Sequence, residues 1–151
     1  MKAKVLPYLT FNGNCEEAFN FYKSVFRTEF SYLGRFKDIP SHEGMPAIPE
    51  EYANQIMHVA LPVSGEFELF GSDSGGEWAP NHVVGNNISL YLNLPSVQDA
   101  DKIFAALSEG GTVSMPMGEV FWGAYFGMFT DKFGINWMIS VELHSENKLH
   151  G

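Results

Sequence analysis

A chain of 151 residues is long enough to bury a real core. Nine Lys and Arg against 18 Asp and Glu leave a net charge of -9, which argues against nucleic acid and anionic membrane surfaces as partners, since both need basic patches. The single cysteine, Cys15, excludes an internal disulfide and a cysteine zinc cage and suits a reducing cytoplasm, while no apolar run is long enough to span a membrane and MKAKVLPYLTF lacks the marks of a signal peptide.

Val5–Phe11 is apolar on both alternating faces, as in a strand covered on both sides. Asn12-Gly13-Asn14 turns the chain, and Asn14 with Glu17 resembles a capping box that opens a helix. Cys15, Ala18, Phe19, Tyr22, Val25 and Phe26 then share one helical face. Glu29–Phe36 reads as a second strand. Lys37–Asn54 holds three prolines and few periodic apolar residues, so a long surface loop is expected, of the kind that serves as a lid or binding loop. Gln55–Val63 and Glu66–Gly71 form strands around the turn Ser64-Gly65.

A polar, Gly-rich connection, Ser72–Asn87, precedes a second run of the same plan. Ile88–Leu94 is a strand, Ser96 with Asp99 opens a helix, and Val97, Ala100, Ile103, Phe104 and Leu107 make its buried face before Gly110-Gly111 ends it. Strands follow over Thr112–Phe121, Ala124–Thr130 and Asn136–Val141, and the tail from Glu142 is polar. Adding about 82 to a number superposes the two helices, Asn14 on Ser96 and Val25 on Leu107. An offset of about 69 carries Gly65 to Gly134 and Leu69 to Met138. The expected fold class is α+β, a single domain of two tandem βαβββ modules, 1–74 and 86–142, with a linker at 75–85 and a tail at 143–151. Each module is a curved mixed sheet with a helix on its outer face, and two such sheets facing one another enclose a cleft.

The duplicated plan resembles the glyoxalase/bleomycin-resistance/extradiol-dioxygenase superfamily, also called vicinal oxygen chelate proteins. PYLTFNGNCEEAFNFY (Pro7–Tyr22), QIMHVALPV (Gln55–Val63) and FWGAYFGMFTDKFGINWMIS (Phe121–Ser140) are similar to its PhnB-like branch. Proteins of that branch are often labelled for phosphonate metabolism or as demethylubiquinone methyltransferases. Neither label finds support in these residues: no Gly-rich strand-to-helix turn of the kind that holds S-adenosylmethionine occurs, nor a Lys/Arg cluster for a phosphonate. The resemblance implies a divalent metal held by four strand side chains, which fall at about Pro7, Ser89, Leu69 and Met138. None of these is a good donor, so no metal or other cofactor is expected. The resemblance also implies a homodimer, with Val5–Phe11 and Phe121–Phe129 near the contact.

His58 shares a strand face with Ile56, Ala60 and Pro62, opposite the greasier face of Met57, Val59, Leu61 and Val63, and so points to the cleft. An imidazole there either acts as acid or base or fills the wall as a hydrogen-bonded histidine. Tyr91, Phe121, Trp122 and Tyr125 can stack on a planar ligand or pack as core. Ser89, Met138 and Ser140 complete the candidate ligand-binding set. Asp73 and Glu77 read as solvated loop carboxylates, Asp131 as a turn former, and Cys15 as a packing residue at the helix start. The expected function is metal-independent binding of a small organic molecule in an aromatic-lined cleft. Two alternatives stand beside it. One is a metal-dependent lyase, isomerase or dioxygenase with shifted ligands drawing on His58 and Glu68 or Glu119; the other is an interaction module with a filled cleft.

Overall fold

The computed structural model describes residues 1–40, 48–74 and 81–143. Its elements run β1 (Tyr8–Phe11), α1 (Cys15–Phe26), β2 (Tyr32–Arg35), a short 3₁₀ turn (Phe36–Asp38), α2 (Glu50–Ala53), β3 (Ile56–Ser64) and β4 (Phe67–Asp73), then β5 (Leu90–Asn93), α3 (Val97–Ser108), β6 (Thr112–Val120), β7 (Ala124–Thr130) and β8 (Asn136–Glu142). They form two four-stranded mixed sheets, ordered β1-β4-β3-β2 and β5-β8-β7-β6. In each, the first strand is parallel to the last and the other pairs are antiparallel. The chain divides into two compact units, Met1–Val83 and Val84–Gly151, each a βαβββ module.

In the first unit, α1 buries Cys15, Ala18, Phe19 and Tyr22 against one face of its sheet. Complete burial of side chains the size of Phe19 or Leu61 contributes about 1.5–3 kcal/mol apiece. The approach is close at Gly71, where a methyl group would come within 2.5 Å of the Phe19 ring and 2.9 Å of the Leu9 carbonyl. The helix start is not held as the capping box predicts, because Asn14 makes no side-chain cap. Asp73 does that work instead. Its Oδ1 accepts the amides of Gly13 (2.8 Å) and Cys15 (3.0 Å), and its Oδ2 accepts that of Ile56 (2.8 Å). Only 4% of Asp73 is exposed, so the solvated loop carboxylate expected there is a buried clasp joining β4, α1 and β3.

In the second unit the Ser96 hydroxyl does accept the Asp99 amide at 3.1 Å, as the sequence predicts. Phe104 of α3 packs edge-on to Phe129, with ring centroids 4.9 Å apart, and stands over Gly127, which has no room for a Cβ. Val97 lies outside that packed face, at the exposed start of the helix. The turn between β7 and β8 closes on buried Asp131, whose Oδ1 accepts the Phe133 and Ile135 amides and whose Oδ2 accepts the Trp137 indole N–H. β6 is a nine-residue edge strand, largely exposed, with Pro116 inside the stretch where its pairing to β7 shifts register.

Several strand ends differ from expectation for local reasons. β1 begins at Tyr8, since Pro7 accepts from the Phe70 amide but has no N–H to return. β5 begins at Leu90, because the Asn136 side chain takes the Ile88 carbonyl. β4 runs on to Asp73. β2 is short, and the expected loop 37–54 carries part of the 3₁₀ turn and all of α2. Residues 41–47 of that loop, 75–80 of the linker and 144–151 of the tail lie outside the described residues. Glu77 goes with them.

The repeat offset also needs correcting. The ladder pairs Tyr8 with Phe70 and Tyr91 with Met138, Ala60 with Phe70 and Met128 with Met138. Strands β3 and β4 therefore map onto β7 and β8 by 68 rather than 69, and β1 maps onto β5 by 83. The two helices keep the offset of 82, Cys15–Phe26 onto Val97–Ser108.

Candidate functional site

Gly71 turns its missing Cβ toward α1, so alternation puts Leu69 and Asp73 on the helix side of the first sheet. Cross-strand pairing carries Leu9, Val59 and Leu61 to that side too. The opposite face holds Tyr8 and Thr10 from β1, Glu68, Phe70 and Ser72 from β4, His58, Ala60 and Pro62 from β3, and Tyr32 from β2. Leu69, expected to face the cleft, is 5% exposed on the helix side, and Glu68 stands on the other face.

His58 sits at the centre of an aromatic cluster on this face. Its ring lies 5.6 Å from those of Tyr8 and Phe70, stacked at 29° and 23°, and 5.8 Å from that of Tyr32. The Tyr8 hydroxyl is 3.1 Å from His58 Nδ1. When that phenol donates, the imidazole proton is held on Nε2, which is left as a hydrogen-bond donor; when it accepts, Nε2 is left as a base. Tyr8 and Tyr32 are each about half exposed, at 50% and 49%. Gly34 opposite His58 is covered by the folded-back Tyr32 side chain, since a Cβ there would meet the Tyr32 hydroxyl at 2.6 Å. Glu68 accepts from the Ser31 hydroxyl at 3.1 Å.

The second sheet uses the same positions for softer groups. Gly127 faces α3, so Tyr91, Phe126, Met128, Met138 and Ser140 occupy the face away from that helix. Phe126 stands where the first unit has His58, and Met138 where it has Phe70. Ser140 is 1% exposed and its Oγ has no hydrogen-bond partner among the described residues. Trp122 leans on Phe126 (5.7 Å) and on Phe121 (5.0 Å) at the β6–β7 turn, and Phe121 is almost wholly exposed. Tyr125 points the other way: its hydroxyl donates to Asp101 of α3 at 2.6 Å, and that bond raises the phenol pKa. Ser89 is exposed and precedes β5. Of the candidates, then, Tyr91, Met138 and Ser140 share one face, His58 stands in the other unit, and Tyr125 is on a helix side.

The residues present do not fit a divalent ion. The four strand positions on the exposed faces hold Tyr8 and Phe70 in one unit and Tyr91 and Met138 in the other, two phenols, a hydrocarbon ring and a thioether. His58 and Glu68 share a face, but Glu68 lies beside Pro62, four residues along β3 from His58, or about 13 Å. Among the described residues no three His, Cys, Asp or Glu side chains gather as a metal would require. Cys15 is equally unsuited to chemistry: burial, then the charges of Asp73 and Glu16, push its thiol pKa far up.

Sequence reasoning singled out His58 and missed its partners Tyr8, Tyr32 and Phe70. Their signal was parity: Tyr8 is one residue from Pro7, and Phe70 one from Leu69.

A family model described as 3-demethylubiquinone-9 3-methyltransferase matches residues 3–140. Protein YjdN of Escherichia coli K12 is 30% identical over 140 residues, covering 89% of this chain and 92% of that protein. The crystal structure of protein PA1353 from Pseudomonas aeruginosa aligns with a TM-score of 0.77 at 39% identity, over 93% of this chain and 98% of that one. A putative 3-demethylubiquinone-9 3-methyltransferase, PhnB protein, from Bacillus cereus aligns with a TM-score of 0.72 at 27% identity, over 92% and 99%. The arrangement of strands and helices is the glyoxalase/bleomycin resistance/dioxygenase fold.

Proposed function

The chain belongs to the PhnB-like 3-demethylubiquinone-9 3-methyltransferase family, and we propose that it binds a small planar organic molecule against the exposed aromatic face of its first sheet, without a divalent metal. The observation that carries this reading is His58 held among Tyr8, Tyr32 and Phe70, with one ring nitrogen engaged by Tyr8. Aromatic side chains buried in a core satisfy their polar tips inside it; here two tyrosines stand half exposed around a histidine, the mixture of apolar wall and few polar groups that ligand sites use. The family's name invokes methyl transfer, but the strand-to-helix turns of this chain, Asn12–Asn14 and Leu94–Ser96, contain one glycine between them and do not favour that chemistry.

Titration with a panel of planar aromatics, followed by NMR of the His58 and tyrosine rings, tests the reading. His58→Ala is expected to weaken binding at least tenfold and Tyr8→Phe about threefold. Binding that leaves the His58 and Tyr8 resonances in place and survives His58→Ala overturns it.

A homodimer is part of the proposal. Phe121 at 96% exposure and Trp122 at 57% form an apolar tip beside the exposed edge strand β6, surface that a second copy would cover. Light scattering is expected to give about 34 kDa, twice the chain mass of 16.9 kDa, with more than about 1,000 Å² buried in total. A mass of one chain across a dilution series removes this part. A cytoplasmic location agrees with a lone, buried cysteine.

A further inference from the structure

We infer that the molecule taken by the first sheet's aromatic face is a planar cation, a conjugated ring with a fixed positive charge, and that Glu68 is its counter-ion. The inference rests on the reading above of where the ligand lies and adds its chemical class.

Three observations converge on charge. The first is the ring cluster, in which half-exposed Tyr8 and Tyr32 stand beside Phe70 and His58, an electron-rich aromatic surface of the kind that attracts organic cations. The second is Glu68, two residues along β4 from Phe70 and so about 6.8 Å away, on the same face. Glu68 is partly buried as a residue, and its carboxylate accepts the neutral Ser31 hydroxyl, so its charge is not neutralised by that contact. The third is the sign of the strand positions around them. The strand positions of this face are Tyr8, Thr10, Tyr32, Gly34, His58, Ala60, Pro62, Glu68, Phe70 and Ser72, with no Lys or Arg among them. Arg35 is turned to Glu16, Lys4 is held by Glu66 at the turn, and Lys23 by Glu29 beside α1. Among these strand positions an anion would find only His58. A cation finds half-exposed aromatic rings and one carboxylate, in a chain whose net charge of -9 raises the local concentration of cations further.

The test compares two probes of nearly one shape, quinoline and N-methylquinolinium, titrated into the full chain at pH 8, where free imidazole and quinoline are neutral. The expected result is that the cation binds about 5–10-fold more tightly at low salt, and that added salt narrows the gap. Glu68→Gln is expected to bring the two within about twofold, whereas Glu109→Gln, at the exposed end of α3, leaves the preference intact. Quinoline binding as tightly as the cation, with the His58 and Tyr8 resonances shifting for both, overturns the charge assignment while the site stands. Neither probe moving those resonances at millimolar concentration overturns the site itself. The wild-type chain alone separates these outcomes, and a cation preference that survives Glu68→Gln in the folded variant removes Glu68 as the counter-ion.

Discussion

The amide of Cys15 donates to Asp73 at 3.0 Å, joining residues 58 positions apart in the chain. Gly13 and Ile56 donate to the same carboxylate, so one buried side chain fixes the end of β1, the start of α1 and the start of β3. Asn has the same shape but offers one acceptor oxygen and turns an N–H₂ group toward a donor. Asp73→Asn is therefore expected to destabilise the protein by about 2–4 kcal/mol. A urea unfolding curve reads this as a lowered midpoint; a loss below 0.5 kcal/mol would show that the clasp is not needed.

The same contact bears on the Cys15 thiol. A helix start normally favours a thiolate, but burial and the Asp73 carboxylate act in the opposite direction and are stronger here. Cys15 is expected to resist a thiol reagent at pH 8 in the folded protein and to react fully in denaturant. Labelling of the native protein at the rate of a free thiol would contradict this.

Gly71 meets Phe19 with no room for a methyl group. Gly71→Ala is expected to cost about 1–3 kcal/mol through displacement of that ring. Combining it with Phe19→Leu should give less than the sum of the two single losses, since the smaller side chain yields space. Strict additivity in a double-mutant cycle would place the strain elsewhere.

Arg35 grips Glu16 with both guanidinium nitrogens, at 2.8 and 2.7 Å, and also donates to the Asn54 carbonyl. The hydrogen bond to Arg35 holds the Glu16 carboxyl below its ordinary value of 4.5. A lowered folded-state pKa stabilises above the unfolded value and ceases to do so as pH falls through the folded one. With 45% of the Glu16 side chain exposed, solvent screening leaves about 0.5–1 kcal/mol at pH 7. Glu16→Gln should thus unfold at lower urea than wild type at pH 7, and the gap should close toward pH 3. A gap independent of pH would mean the pair contributes by packing alone.

The order of elements was legible because local signals carry it: Ser96 three residues before Asp99, Gly110-Gly111 after α3, and the alternation through β3 that puts His58 opposite Val59 and Leu61. Register was not. The turn glycines Gly65 and Gly134 serve as markers of equivalence, yet the two turns differ in length. Gly65 opens a two-residue turn after the register shift at the end of β3, with φ +56, whereas Gly134 is fourth of the five residues between β7 and β8, with φ +91. A one-residue error in a period of two exchanges faces, which puts Leu69 in place of Phe70 at the expected ligand position. Asp73 was unreadable for another reason. Its neighbours Ser72, Ser74 and Gly75 have loop composition, and its partners lie near residues 13 and 56, a relation that no local window contains.

The matched positions of His58 and Phe126 make this protein a comparison with itself. Two copies of one backbone plan have accepted an imidazole at one site and a benzyl group at the other, alongside Tyr8 and Tyr91, which kept the same residue. The second face is the softer of the two, with Met128 and Met138 beside Phe126, though it keeps the Tyr91 phenol and the Ser140 hydroxyl. The paired substitutions His58→Phe and Phe126→His are accordingly exchanges between internal paralogues, each introducing a residue that the same local geometry already carries.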